Sequence, residues 1–294
     1  MMAEDSMSQN RIRVGNRAGV RSLFIVSAAI SLGMLAGCKA AEANTSNKSR
    51  LVYGDAQALG NGSARVFVTL DADKHPTSLG VSISESAMTG LPMTPKAPSP
   101  SAAMLMLALP AEAKVTGFDH VMVDWNPVGH EPEHVYTLPH FDFHFYSATE
   151  AEQMAIMPNA PDFEQRASRV PDAQFAPEGY VAAHVLMKAP APAATIPMMG
   201  LHWIDGAAAE LHGQTFTSTF IWGSFDGRFI FLEPMITKAH IESAKSSAGN
   251  AITMPLKSPA KYERAGYYPD QYSIRWDASA KEYRISLDGL TPRK

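Results

Sequence analysis

Residues 129–146 read Gly-His-Glu-Pro-Glu-His-Val-Tyr-Thr-Leu-Pro-His-Phe-Asp-Phe-His-Phe-Tyr and hold four of the chain's ten histidines. Imidazole and carboxylate groups ligate divalent transition metals and carry protons near neutral pH, so chemistry is sought here first. From Pro139 to Tyr146 the pattern has a period of two. In a strand, His140, Asp142 and His144 then share one face and Phe141, Phe143 and Phe145 the other. The phenylalanine face predicts a core contribution of roughly 2 to 3 kcal/mol per ring. The polar face is a row of metal ligands under a geometric restriction. Residues two apart on a strand stand ~6.7 Å apart and residues four apart ~13 Å. One ion takes both His140 and His144 only if the strand bulges or twists at Asp142. Otherwise one histidine ligates and Asp142 stands behind it, orienting an imidazole through its ring N–H. The plainer alternative is a solvated sheet face.

His130-Glu131-Pro132-Glu133-His134 spells the His-Glu-x-x-His of helical zinc proteases. That motif needs an uninterrupted helix to bring i and i+4 to one ion. Pro132 lies between the histidines, Pro127 and Gly129 precede them, and Val135–Leu138 has β character, so a loop presenting His130 and Glu131 is expected instead. His202, in Met199-Gly200-Leu201-His202-Trp203, and Glu233, beside Phe229 and Phe231, could complete a site. A glutamate on the side of those aromatics is buried and needs a partner, either an ion or histidine or a basic residue. The candidate metal ligands are thus His130, Glu131, His140, His144, His202 and Glu233, with Asp142 behind them. Zinc, iron, manganese and copper all suit such donors. The set resembles cupin chemistry, but the cupin spacing of His-x-His followed by glutamate is absent. The 16 methionines raise copper handling, although Met104, Met106, Met122, Met187 and Met235 fit core positions in apolar strands. No nucleophile elbow and no phosphate-binding glycine loop is present.

The single cysteine gives an address. Cys38 closes Leu35-Ala36-Gly37-Cys38, after an apolar run from Leu23 to Met34 and four arginines, Arg11, Arg13, Arg17 and Arg21. A basic region, a short apolar region and small residues at a cleavage point make a signal peptide. It resembles the lipobox of bacterial lipoproteins, which implies cleavage after residue 37 and lipidation of Cys38. Lys39, rather than Asp, follows the cysteine, and the resemblance then implies the outer membrane over the inner. An uncleaved anchor is the alternative. The expected mature protein hangs from the membrane on a polar tether, residues 38–49, facing the periplasm. It has no second thiol, which excludes a disulfide, a c-type haem attachment and thiolate zinc or blue-copper sites.

A net charge of -4 and a pI near 6.2 exclude nucleic acid as an expected partner. The elements that position the motifs read as about ten short strands with turn residues between them. Examples are Ala64–Leu70 with Ser78–Ile83, Ala103–Leu109, Phe118–Trp125, Tyr180–Met187, Met198–Ile204, the Asp226-Gly227 hairpin, and Tyr272–Trp276 with Glu282–Leu287. Helices are predicted at Glu85–Gly90, at Ala148–Met157 behind a Ser147/Glu150 capping box, and at Thr237–Ser247 with Thr237 as cap. Residues 158–179 read as a surface excursion. The fold class is mainly β, an antiparallel sandwich or distorted barrel with two or three short helices, over one domain spanning residues 50–294. A split near 158–179 is the alternative.

Together the stretches Gly129-His130-Glu131-Pro132, Pro139–Tyr146, Met199–Trp203, Gly223 with Asp226-Gly227, and Glu233-Pro234-Met235 resemble a domain-of-unknown-function family of secreted bacterial proteins that includes a Thermus protein. The resemblance runs from Tyr53 to about Pro269. It implies a common fold and site and supplies no reaction. His134 departs from the pattern at a place where a small residue is expected, which moves the ligand role toward His130 and Glu131. The leading expectation is a cell-envelope lipoprotein with a divalent-metal site of His and carboxylate. The alternatives are an envelope assembly module with structural histidines, and a metal-dependent hydrolase or oxygenase. A homo-oligomer is compatible with the sequence, and no small-molecule ligand is identified by it.

Overall fold

Tight turns cut the chain into short strands. At the sharpest of them Asp226 and Gly227 both take left-handed backbone, with φ of 56° and 77°, the conformation that a two-residue hairpin needs and that Asp-Gly supplies. A computed structural model describes residues 49–97 and 99–294. The signal peptide, Cys38 and nearly all of the tether lie outside the described residues. The described strands are β1 Arg50–Tyr53, β2 Gln57–Leu59, β3 Gly62–Leu70, β4 Pro76–Ser84, β5 Ala103–Ala108, β6 His120–Asn126, β7 His140–Tyr146, β8 Tyr180–Ala182 and β9 Thr195–Ile196. They continue with β10 Gly200–Asp205, β11 Ser218–Phe225, β12 Arg228–Thr237, β13 Ala251–Pro255, β14 Gly266–Tyr268, β15 Gln271–Asp277, β16 Glu282–Asp288 and β17 Thr291–Arg293.

The strands form two open antiparallel sheets. The first runs β1-β3-β4-β16-β15-β13 with β2 added to β3, and the second runs β5-β6-β7-β12-β11-β10-β8 with β9 added to β10. β14 and β17 make a separate ribbon. Neither sheet closes, so of the two architectures expected the sandwich is the one observed. Val66, Val81, Ile83, Ile274 and Ile285 from the first sheet pack in one core with Val121, Val123, Phe141, Phe143 and Phe145 from the second. The described residues from Ser49 onward fall in one compact unit.

The second sheet is buried on its other face as well. There Met122, Tyr146, Ile221, Phe231 and Met235 pack against Tyr136, Ile156, Phe163, Ala167 and Phe216, which come from the connections. Residues 158–179, most of them exposed as expected of a surface excursion, therefore also supply part of a cover. Within them a five-residue helix, Phe163–Ala167, turns Phe163 and Ala167 inward, and Arg166 and Arg169 pair with Asp226 at 3.1 and 2.6 Å to fasten it to the β11–β12 turn. The inward side chains of Phe163 and Ala167 suffice in a proline-rich stretch, because a cover needs only one inward face.

Three local expectations differ from the structure. Tyr180–Met187 is strand only to Ala182 and then a helix, Ala183–Met187, and Met187 is 60% exposed and outside the core. The capping box belongs to Thr149 and Glu152, two residues later than the Ser147/Glu150 pair, so the helix runs Glu150–Met154. Thr237 does cap the helix Lys238–Ser243, accepting from the His240 N–H.

Candidate metal centre

Register sets the site. β6 pairs with β7 from His120↔Tyr146 to Asn126↔His140 without a break, so β7 has no bulge at Asp142 and keeps its two faces throughout. The phenylalanines point into the sandwich, and His140, Asp142 and His144 point under the cover, all three buried. Directly opposite Asp142 on β6 stands Asp124, and opposite His140 stands Asn126. On the other side, β12 pairs Leu232 with Phe145 and Met235 with Asp142, which sets Glu233 opposite His144. Phe231 on the same face lies opposite Gly223 of β11, and Gly223 lies opposite His202 of β10. The β11–β12 register shifts next to Gly223, so Phe229 turns into the sandwich core while Phe231 stays beside Glu233. The expectation that Phe229, Phe231 and Glu233 share a face fails at that bulge.

The ligand types gather in two groups along this face. In the outer group His130, His140 and Asp142 offer atoms within 4.8 Å of one another, and in the inner group His144, His202 and Glu233 do the same. His130 Nε2 lies 3.5 Å from Asp142 Oδ2 and His140 Nε2 3.2 Å from Asp142 Oδ1. His144 Nε2 and His202 Nε2 lie 3.4 and 3.6 Å from the two oxygens of Glu233. His144 Nδ1 is 3.6 Å from Asp124 Oδ2. His140 and His144 thus fall in different groups, as an unbulged strand requires. Asp142 is in the outer group itself and not behind it.

Many of these atoms are buried without a hydrogen-bond partner: both oxygens of Asp124, Asp142 Oδ1, both nitrogens of His144 and Glu233 Oε2. A buried polar atom left unpartnered costs about 1 to 3 kcal/mol. His120, on the same face, is satisfied at both ring nitrogens by Asp119 at 2.9 Å and Gln153 at 2.7 Å. It is a structural histidine; His144 is its opposite.

Hydrogen bonds fix the outer rings. His140 Nδ1 lies 2.7 Å from the Leu138 carbonyl and His130 Nδ1 2.7 Å from the Glu131 carbonyl. A carbonyl can only accept, so both Nδ1 atoms carry the proton and a neutral ring leaves Nε2 as a bare lone pair. Both lone pairs face the same carboxylate, and that of His140 also accepts a long hydrogen bond from Asn126 Nδ2 at 3.4 Å. Asp142 Oδ2 also accepts from Asn126 Nδ2 at 2.7 Å.

The fields of the two groups differ. Burial works against the charge on Asp142, but His140 and His130 outweigh it and hold its carboxyl well below the usual range. Burial lowers His130 and the Asp142 carboxylate more than restores it, so the net shift is upward. Burial, then the charge of Asp142, pushes Asp124 up to about 7. Burial with the charges of Asp142 and Asp124 carries Glu233 well above the carboxylate range. His144 and His202 are driven down to about 3 and about 4, chiefly by burial. Both inner imidazoles are therefore neutral at pH 7, the form that ligates metals.

Glu131 is not brought to either group; it is exposed and accepts from the Glu133 N–H at 2.8 Å. His134 is 88% exposed with a φ of 66°, so the His-Glu-x-x-His spelling forms no helix and no site. Asp124 and Asn126 were not among the sequence candidates. Asp124 was visible as the polar member of Val121-Met122-Val123-Asp124-Trp125, but only the register shows that it meets Asp142. A third group, Asp71, Asp73 and His75, sits in the β3–β4 turn. Asp71 Oδ1 there accepts from the backbone N–H groups of Asp73 and His75 at 2.9 and 2.8 Å, an ordinary side-chain-closed turn.

A family model described as TTHB210-like, hypothetical protein TTHB210, matches residues 71–125. The match agrees with the resemblance to an uncharacterised family with a Thermus protein. It spans β4, β5 and most of β6, including Asp124, and stops before His130. No curated protein and no solved structure matches the chain.

Proposed function

We propose that this chain is a cell-envelope lipoprotein whose sandwich binds a divalent transition-metal ion through His130, His140 and Asp142. One observation carries the reading. Two imidazoles held by backbone carbonyls in the Nδ1–H form aim two Nε2 lone pairs at one buried carboxylate. Lone pairs facing an acceptor repel unless a cation lies between them. The second ring nitrogen donating to a backbone carbonyl is also the arrangement that orients metal-ligating histidines. Zinc, iron, manganese and copper suit two imidazoles and a carboxylate. With three protein ligands a fourth position is left to water, and His130, a quarter exposed on its loop, is where solvent reaches it. Such an ion would activate water or hold a small anion.

A second reading has its own support. The cation could be a proton, since Asp142 raises the affinity of His130 for one, and the group would then be an ion pair in a non-enzymatic envelope module. Elemental analysis of protein purified without added metal separates the two. At least one equivalent of transition metal, reduced by one in His130→Ala with His140→Ala, is the expected result. Metal-free protein whose melting temperature is indifferent to chelator and to added zinc would overturn the metal reading. The envelope assignment is tested separately: Cys38→Ser should move the protein from the membrane fraction to the soluble periplasm and abolish incorporation of labelled fatty acid.

A further inference from the structure

We infer that the inner group, His144, His202 and Glu233, takes a second divalent ion, with Asp124 as the positioning residue that orients His144, so that this sheet face is a two-ion centre. The inference rests on the reading of the outer group as a metal site.

The strand itself argues for two ions. With β7 unbulged, His140 and His144 stand ~13 Å apart along the backbone, too far for shared ligation at about 2 Å. Ligands for a second position are nevertheless present. His144 and Glu233 are 1% and 2% exposed at their side chains, and both ring nitrogens of His144 and Oε2 of Glu233 lack hydrogen-bond partners. His120 shows that this face can satisfy a structural histidine at both nitrogens. His144 instead points Nε2 at Glu233 and Nδ1 at Asp124.

Charge permits a second ion. Asp124, Asp142 and Glu233 are buried within one patch, and among the described residues their ion pairs are with histidines alone. With all three carboxylates ionised and the four imidazoles neutral, the forms that ligate metal, the patch would carry three minus. One divalent ion would leave it at one minus and two at one plus, so its charge accommodates a second ion as readily as a first. In this arrangement Nε2 of His144, Nε2 of His202 and a Glu233 oxygen face the inner ion. Asp124 accepts the Nδ1–H of His144, the carboxylate–histidine–metal order that fixes ring orientation and raises ligand basicity.

The test uses cobalt(II) as probe on the chelator-stripped mature chain. Bound cobalt is counted by equilibrium dialysis and followed by its visible absorption, with folding of every variant checked by circular dichroism. Two equivalents are expected in the wild type, one in His202→Ala, one in Glu233→Gln and one in His140→Ala. Asp124→Asn should weaken one of the two binding steps by about 10- to 100-fold and leave the other unchanged. One equivalent in the wild type, unaffected by His202→Ala and Glu233→Gln but lost in His140→Ala, would overturn the second ion while leaving the outer site standing. No bound cobalt, or loss confined to the His202 and Glu233 variants, would sink the outer site and this inference with it. An unchanged isotherm and spectrum in Asp124→Asn would remove Asp124 from its positioning role.

Discussion

Asp124→Asn should stabilise the metal-free protein, and the gain should grow with pH. Asp124 is fully buried, both its oxygens are unpartnered, and Asp142 stands directly across the β6–β7 pair. Like charges opposite each other in a sheet destabilise it. Burial and that neighbour lift the Asp124 carboxyl from 3.8 up to about 7. A folded-state pKa above the unfolded one means that between these values the folded chain holds a proton the unfolded chain has released. Stability therefore falls as pH rises from about 4, and the loss is complete above about 7. At about 1.4 kcal/mol per pH unit the interval is worth about 4 kcal/mol. For a domain of this size that corresponds to about 8 to 16 °C in melting temperature. Asparagine carries no charge at any pH and escapes the loss. Urea melts of chelator-stripped wild type and variant at pH 4 and pH 8 measure it. Titrations remote from the site cancel in the difference between the two proteins, which should widen in favour of the variant by a few kcal/mol over that range, net of the changes that loss of the Asp124 charge makes at Glu233 and His130. A difference that is flat, or that turns against the variant at pH 8, would refute the reasoning.

Other perturbations separate the core from the site. Phe143→Ala removes a fully buried ring from between the sheets and should cost about 3 to 5 kcal/mol, read as a lower urea midpoint. Gly223→Ala places a methyl 1.9 Å from the Phe231 ring, whose centroid lies 5.0 Å from that of His144 and 5.5 Å from that of His202. Overpacking there should cost about 1 to 3 kcal/mol and weaken cobalt binding at the inner group before the outer. Glu282 is held below the usual carboxylate range: burial raises it, but hydrogen bonds from Tyr53 and Arg284 and the Arg284 charge prevail. Its stabilisation is present above pH 4.5 and lost as pH falls through the lowered value, so Glu282→Gln should be less stable at pH 7 and lose part of its acid sensitivity, as pH-dependent melts would show. His134→Ala, at an exposed turn, should leave metal content unchanged and shift stability by less than about 0.5 kcal/mol.

The strands and their faces were legible because local chemistry dictates them. Phe141, Phe143 and Phe145 alternate with His140, Asp142 and His144, and no other backbone than an extended one separates the two sets. Asp226-Gly227 names its own turn. The geometric restriction on His140 and His144 also follows from strand rise alone, and their division between two groups needed only an unbroken β6–β7 register to decide it. What stayed hidden is relational. Asp124 belongs to the site because its strand pairs with β7 at one register out of several, and nothing local in Val-Asp-Trp selects that register. Likewise Phe229 and Phe231 look alike in sequence, and only the bulge beside Gly223, where the Phe231 ring lies over a residue without a side chain, sends them to opposite faces. The cover was missed for a different reason. Residues 158–179 carry too few apolar side chains for a periodic signal, yet Phe163 and Ala167 on one short helix turn are enough to close over a sheet.

That cover sharpens the case for binding. An antiparallel sheet with one apolar face can leave the other in water, where His140, Asp142 and His144 would cost nothing. Here the polar row is roofed by Tyr136, Ile156, Phe163 and Phe216 instead. The roof is tied down by the Tyr146 hydroxyl donating to the Met198 carbonyl at 3.0 Å and by Arg166 and Arg169 on Asp226. Apolar residues in the same places would typically make a protein more stable by about 1 to 4 kcal/mol than a buried ionic set does. The polar row is thus a liability in the metal-free fold, of which Asp124 alone represents about 4 kcal/mol at neutral pH. An ion present at 1,000 times its dissociation constant returns about 4 kcal/mol to the folded state, of the same size as that deficit and delivered at the same atoms. On the metal reading such a sandwich is at its most stable when loaded, so the melting temperature should rise on adding metal, and the rise should be smaller in Asp124→Asn than in the wild type because one of its two binding steps is weakened.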